Sequence, residues 1–210
     1  SQTASHTVKY TYDGNNRLQR MVTTHTDGYE RTTEYRYDPN GNLTHEAAWE
    51  LTSGAESATM ELEMGEAKWL PGNYTRTLQY DGFGQLYEVQ SGDQTAYYRY
   101  DADGLRQYKR VGGVESYQIW DGGNIVAEAD DEGALTARYY RGVGLVSRAT
   151  TAGTETYVTD GHGDVVQLVN AAGAVTQDYR YDAWGNQAET AEEDTNPFRY
   201  AGEYFDQETG

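Results

Sequence analysis

Tyr98-Arg99-Tyr100-Asp101-Ala102-Asp103-Gly104-Leu105-Arg106 is the stretch that decides the fold. Tyr-x-Tyr puts two rings on one face of a strand, because side chains alternate with period two. Asp then opens a turn, since its carboxylate accepts from backbone N–H groups just downstream. Gly three residues later takes the left-handed conformation that closes the turn. An apolar residue beyond the Gly restarts the alternation in several copies. The unit is strand, turn, strand: one hairpin step.

The pattern recurs along the chain. It reads Tyr10-Thr-Tyr12-Asp13, then Tyr35-Arg-Tyr37-Asp38 with Gly41, then Leu78-Gln-Tyr80-Asp81 with Gly84. After the copy at Tyr98, Tyr100, Asp101 and Gly104 come Tyr117-Gln-Ile-Trp120-Asp121 with Gly123, Tyr157-Val-Thr-Asp160 with Gly163, and Tyr179-Arg-Tyr181-Asp182 with Gly185. Asp81, Asp101 and Asp121 are 20 residues apart, and Asp182 follows Asp160 by 22. Midway across the 39 residues from Asp121 to Asp160, Tyr139-Tyr140-Arg141-Gly142 keeps the aromatics and Gly without the Asp. Such a period identifies a repeat architecture, in which each unit buries its apolar face only against neighbours. Asp130 with Gly133 and Asn170 with Gly173 have the same form and read as turns at the other ends of the strands. The expectation is an all-β fold of antiparallel hairpins, with strands over 117–120, 124–129, 134–140, 155–159, 164–169 and 174–181. Residues 45–75 break the period and read as an irregular insertion, anchored by Trp49 and Trp69.

Composition sharpens this picture. Only 29 of 210 residues are Leu, Ile, Val or Phe, and the net charge is −18. Such values usually mean disorder. Against that stand 20 Tyr and 4 Trp, placed in alternation, so the core is expected to be built from Tyr whose hydroxyls need partners. The acidity disfavours nucleic acid and anionic membrane surfaces as partners. The absence of Cys excludes disulfides and thiolate chemistry. No stretch is long and apolar enough to enter a membrane. The chain, from Ser1 to Gly210, reads as a piece of something longer, and its end strands are expected to promote self-association through exposed sheet edges.

Candidate sites are few. Asp160 and Asp164 could offer oxygen ligands to a metal, although the turn chemistry accounts for Asp160. Asp38-Pro-Asn40-Gly-Asn42 lacks the Gly at position 6 and the Glu at position 12 that a calcium-binding EF-hand loop requires. His6, His25, His45 and His162 share no motif with a nucleophile. The acidic pairs Asp130-Asp131 and Glu192-Glu193-Asp194 read as solvated loops rather than glycosidase acids. Neither cofactor nor catalytic residue is expected. Exposed rings at Tyr98 and Tyr100 could stack on a sugar, but rings that recur in every unit are better explained as packing between strands.

These residues resemble the YD repeats of the RHS family, which includes wall-associated proteins and the teneurins. The most specific matches are Tyr157-Val-Thr-Asp160-Gly-His162-Gly163-Asp-Val-Val, Tyr179-Arg-Tyr-Asp-Ala-Trp-Gly-Asn186 and Asn196-Pro197-Phe198-Arg199-Tyr200-Ala-Gly202-Glu-Tyr204-Phe-Asp206-Gln-Glu208-Thr-Gly210. The last looks like the opening of the RHS core motif, so 1–195 reads as the repeat region and 196–210 as the start of that motif. The resemblance implies a spiral β-sheet shell that encloses a C-terminal effector in toxin-bearing members and serves as an extracellular scaffold in others. It implies a secreted or cell-surface location, the effector as a possible partner and cell-surface glycan as another. The self-cleavage segment associated with this family lies beyond the matched residues. The leading expectation is a non-catalytic shell segment, with a carbohydrate- or cell-wall-binding module as the alternative and a glycan-processing enzyme well behind.

Overall fold

The computed structural model describes residues 6–26, 28–51, 74–182, 185–187 and 194–209. The chain forms two compact units, Ser1–Ala96 and Tyr97–Gly210. In the first, β1 (His6–Tyr12), β2 (Leu18–His25), β3 (Glu30–Tyr37), β4 (Leu43–Leu51), β5 (Tyr74–Tyr80) and β6 (Leu86–Ser91) lie side by side in chain order, each antiparallel to the next. β7 (Gln94–Tyr100) begins in the first unit and ends in the second, which holds β8 (Arg106–Val111), β9 (Val114–Asp121), β10 (Asn124–Ala129), β11 (Leu135–Arg141), β12 (Leu145–Thr150), β13 (Gly153–Thr159), β14 (Val165–Asn170) and β15 (Val175–Asp178), with β8 to β15 each antiparallel to the next. The expected all-β hairpin array is therefore observed.

The Asp turn is built as its chemistry requires. Asp101 donates its N–H to the Leu105 carbonyl at 2.9 Å, and Gly104 donates back to the Asp101 carbonyl at 3.2 Å. The Asp101 carboxylate accepts from the N–H groups of Asp103 and Leu105, both at 2.9 Å. Gly104 has φ 81°. This is a type I turn closed by a left-handed residue and a bulge. The same two backbone bonds close the turns at Asp13, Asp38, Asp81, Asp130, Asp160, Asn170 and Asp182. At Asp13 the left-handed place is taken by Asn16, with φ 61°, the side chain that tolerates it best after Gly. The turns at Asp130 and Asn170 are thus the same structure as the others.

Three sequence readings are corrected. Asp121 does not open such a turn: it pairs with Asn124 across Gly122 and Gly123. Two successive positive φ values, 54° and 82°, make that a two-residue hairpin of the kind Gly-Gly favours. Strand β12 carries no Tyr-x-Tyr or Asp signal and lies between 140 and 155, where the sequence pattern places no strand; it pairs with both β11 and β13. Residues 45–51 are not irregular, because β4 runs through them to Leu51 and places Trp49 opposite Thr32. Residues 52–73, including Trp69, lie outside the described residues.

Register divides each strand between two faces. In the second unit one face carries Tyr98, Lys109, Gln118, Ile125, Glu128, Tyr139, Arg148, Tyr157, Leu168 and Tyr179. The buried cluster there includes Ile125, Tyr139, Tyr157, Val165, Leu168, Tyr179 and Phe198.

The candidate functional site is a tyrosine face covered by the C-terminal segment

The two rings of Tyr-x-Tyr have different tasks. The second ring stitches one hairpin to the one before it. The Tyr37 hydroxyl donates to the Leu18 carbonyl at 2.8 Å, and that of Tyr181 to the Val165 carbonyl at 2.9 Å. Each acceptor lies five residues beyond the preceding Asp of the turn. Trp120 fills the same role with its indole N–H on the Arg106 carbonyl at 2.7 Å. At these three second-ring positions the side chain is a donor long enough to reach a backbone carbonyl of the preceding hairpin.

The first ring faces the C-terminal segment, Asp194–Thr209. Tyr98, Tyr139, Tyr157 and Tyr179 are buried, at 3, 5, 6 and 3% exposure. In the Trp120 copy this position belongs to Gln118, 4% exposed. Tyr117, assigned there from sequence, lies on the opposite face, edge-on to Tyr108 at 5.4 Å. The four hydroxyls each meet a carboxylate or amide: Tyr98 with Glu208 at 2.8 Å, Tyr139 with Glu128 at 2.6 Å, Tyr157 with Asn196 at 2.9 Å and Tyr179 with Asp194 at 3.1 Å.

The segment crosses this face as a strap. Its first part sits over β13–β15. There Asp194 and Arg199, with side chains 0 and 3% exposed, form an ion pair at 3.0 Å whose angle does not make a directed hydrogen bond. Asn196, 1% exposed, receives the Tyr157 hydroxyl and donates to the Phe198 carbonyl. Phe198 is set edge-on to Tyr139 at 4.8 Å and to Tyr204 at 5.6 Å. A small hairpin returns the chain, with Phe198 bridged to Tyr204. Tyr204 and Tyr139 clamp the two oxygens of Glu128, each at 2.6 Å. The last residues reach β7 and β8. Arg106 grips Asp206 with two bonds, at 2.5 and 2.8 Å, and Lys109 bonds Asp206 at 3.0 Å and Glu208 at 2.9 Å. At the hairpin tip the ring of Tyr200 lies where a side chain on Gly185 would stand, 2.8 Å from its Cβ position.

The other predicted sites take their places around this strap. Asp160 directs one oxygen to the N–H groups of His162, Gly163 and Asp164. Asp164 accepts from His162 Nδ1 at 2.8 Å and from the strap's Ala201 N–H at 2.7 Å. Burial raises the Asp164 pKa, but those two donors outweigh it and hold the carboxyl below its ordinary range; the same bond raises His162. The metal-candidate carboxylates are therefore engaged by the turn and the strap, and the described residues contain no group of three or more potential metal ligands. Asp194, read as part of a solvated loop, is buried instead; Glu192 and Glu193 lie outside the described residues. Tyr98 is no open platform for a sugar, since Glu208 covers it. In the first unit Tyr10 and Tyr12 are open, at 51 and 53%, and Tyr35 and Tyr80 are half-buried.

Burial is the first cause that raises the hydroxyl pKa values of Tyr98, Tyr139, Tyr157, Tyr179 and Tyr204. Neighbouring carboxylates add to it at Tyr98, Tyr139, Tyr179 and Tyr204. A group whose folded pKa lies above its unfolded value stabilises the fold below the unfolded value and stops doing so as pH rises. Stability is thus expected to fall as pH climbs past about 10, the pKa of a free tyrosine. An ultraviolet tyrosine titration should show these rings ionising only together with loss of near-ultraviolet circular dichroism. Their ionisation in a fully folded protein would contradict the burial.

Tyrosine-ribbed hairpins closed by Asp turns make this a Tyr-Asp (YD) repeat protein. The family model described as "Teneurin YD-shell" matches residues 1–210, and the chain belongs to that family as a structural shell segment of an RHS-type protein. It is 30% identical to the tRNA3(Ser)-specific nuclease WapA of Bacillus spizizenii over 97% of its length, covering 9% of that protein. It is 30% identical over 83% of its length to the tRNA(Glu)-specific nuclease WapA of Bacillus subtilis subsp. natto, covering 7% of it. The chain thus spans less than a tenth of the curated relatives it matches. Among solved structures, that titled "Crystal Structure of TcdB2-TccC3-Cdc42" aligns with 85% of this chain and 10% of its own, at 15% identity and TM-score 0.45.

Proposed function

We propose that this chain is a non-catalytic wall segment of a secreted or cell-surface RHS protein, whose strap leads the downstream polypeptide onto the tyrosine face, where a C-terminal effector is enclosed. The observation that carries the reading is the strap itself. Asp194–Thr209 runs from β15 back to β7 along one face, held at its far end by Tyr98, Arg106 and Lys109. A chain leaving Thr209 starts from that face and not from the opposite one. The relatives named as tRNA nucleases, in which a segment like this one is under a tenth of the length, fit a wall built to serve a separate activity. No helix among the described residues is long and apolar enough to span a membrane. Carbohydrate binding at Tyr98 and Tyr100 is less well supported, because Tyr98 is closed to solvent.

The test uses the natural gene product continued beyond residue 210. Under limited proteolysis its downstream part should survive while the shell is intact, and Phe198→Ala should make it cleavable. Equal cleavage of the downstream part in the intact protein and as a free fragment would defeat the enclosure reading.

A further inference from the structure

The end of the strap is held differently from its middle. Over β10–β15 the contacts are mostly rings and buried amides. Over β7–β9 they are charges. Arg106 and Lys109 face the same carboxylates, with side chains only 14 and 17% exposed, and Glu208 is 5% exposed. The Arg106 guanidinium lies between two rings, 4.9 Å from Tyr98 and 5.2 Å from Tyr204. Its Nε donates to Gln118 Oε1 at 3.2 Å. Gln118 Nε2 is buried beside it with no hydrogen-bond partner. Two cations converging on one strap carboxylate, Asp206, stand out in a chain with 16 Lys and Arg against 34 Asp and Glu. The bidentate Arg–carboxylate fork fixes direction as well as charge. Asp206 and Glu208 meet the site together from a turn, in which Thr209 donates its N–H to the Asp206 carbonyl at 3.0 Å and so brings both carboxylates to the same two cations.

We infer that Tyr98, Arg106, Lys109 and Gln118 form a recognition site for an acidic peptide turn with Asp-x-Glu spacing, and that Asp206-Gln207-Glu208 is its resident ligand. The site therefore holds the C-terminal segment by its own contacts, independently of the main-chain connection through 188–193. This goes beyond the wall reading, since it concerns how the sheet recognises the segment rather than where the downstream chain is housed. A break in the chain upstream of the strap leaves the strap, and anything attached to it, bound to the sheet. An acidic peptide of the same spacing competes for the site in trans.

The chain has no Cys, so Gly210→Cys gives a single labelling point. A protease sequence inserted between 188 and 193 lets the full-length folded protein be cut and then passed over a sizing column. The expected result is that the label elutes with the sheet. A free peptide of residues 194–210 should speed its release, whereas the same peptide with D206N and E208Q should do so at least about tenfold less well. This comparison leaves the protein itself unchanged. Arg106→Gln with Lys109→Gln, checked for fold by circular dichroism, should shorten retention by about the same factor, and so should ~1 M salt acting on the less buried Lys109. Immediate loss of the label from the cut protein overturns the proposal. So does retention that is indifferent to the peptide charges and to Arg106 and Lys109, for then the apolar packing of Phe198 alone holds the strap. The enclosure reading is tested separately, by protease protection of the downstream chain.

Discussion

Phe198→Ala is expected to lower the unfolding free energy by about 3–5 kcal/mol, the range for truncating a buried aromatic ring. The ring is 3% exposed. It meets Tyr139, Tyr157 and Tyr204 edge-on, at 4.8, 6.4 and 5.6 Å, and Arg141 lies 4.9 Å from its centre. The cost depends on whether the cavity can collapse. Here it cannot easily do so, because the surrounding rings are fixed at their far ends: Tyr139 and Tyr204 on Glu128, Tyr157 on Asn196. Inward movement of any of them would break a hydroxyl bond to a carboxylate or buried amide. Urea unfolding is the measurement, with the midpoint falling at constant slope if strap and sheet unfold together. A reduced slope would mean that the strap has already left the face in the native state. Phe83→Ala is the comparison. That ring is 91% exposed in the turn between β5 and β6, and its loss should change stability by no more than about 0.5 kcal/mol. Similar effects at the two positions would remove the claim that the strap is part of the core.

Local chemistry made most of the fold legible. Asp101, Gly104 and Leu105 complete their turn within five residues, so the sequence alone contains every group that the turn needs. Where the turn was built another way, the reading failed. The hairpin at Asp121 needs only two glycines, and β12 is flanked by turns without Asp. The ring assignment failed at Tyr117 for a related reason. Trp120 occupies the second-ring place, so the first falls two residues back at Gln118, whereas the eye is drawn to the tyrosine. The strap was the least legible part. The partners of Asp206 and Glu208 lie about a hundred residues away, and a count of acidic residues cannot separate a gripped carboxylate from a solvated one. A signal did exist. Arg106 and Lys109 share a face with Tyr98 in an otherwise acidic chain, and Asp206 and Glu208 flank one residue of a turn that can present both carboxylates together. Recognising the match, however, needs the register that the bulge after Asp101 sets, because the extra residue decides which of Tyr108 and Lys109 faces the strap.

Asp194→Asn should destabilise the protein by about 3–5 kcal/mol, as expected for a buried charge deprived of its partner. The substitution separates charge from shape. Asn keeps an oxygen for the Tyr179 hydroxyl, now 3.1 Å away, and for the Asn196 N–H at 2.9 Å. The negative charge opposite Arg199 is lost. That guanidinium is 3% exposed and keeps only neutral acceptors, the Asn196 carbonyl and Gln187, together with the faces of Phe205 at 4.8 Å and Tyr179 at 5.6 Å. Ring faces and amides do not replace a carboxylate in a site closed to water. The second substitution decides the cause. Arg199→Met on the Asp194→Asn background removes the stranded cation and fills its volume with an apolar chain, so the double variant should be more stable than Asp194→Asn alone. A buried ion pair replaced by neutral groups is often tolerated, whereas half of one is not. Urea midpoints of the four proteins form a double-mutant cycle. If the two substitutions add without coupling, the pair is not what fastens the first turn of the strap, and the burial of Asp194 owes its stability to Tyr179 and Asn196 instead. If they couple strongly, the ion pair Asp194–Arg199 holds the strap's own first turn in shape, while Asp206–Arg106 over β8 is the electrostatic anchor to the sheet. With that turn preformed, Asn196 on Tyr157 and Phe198 against Tyr139 keep the C-terminal chain on the tyrosine face even when the Asp206 anchor opens.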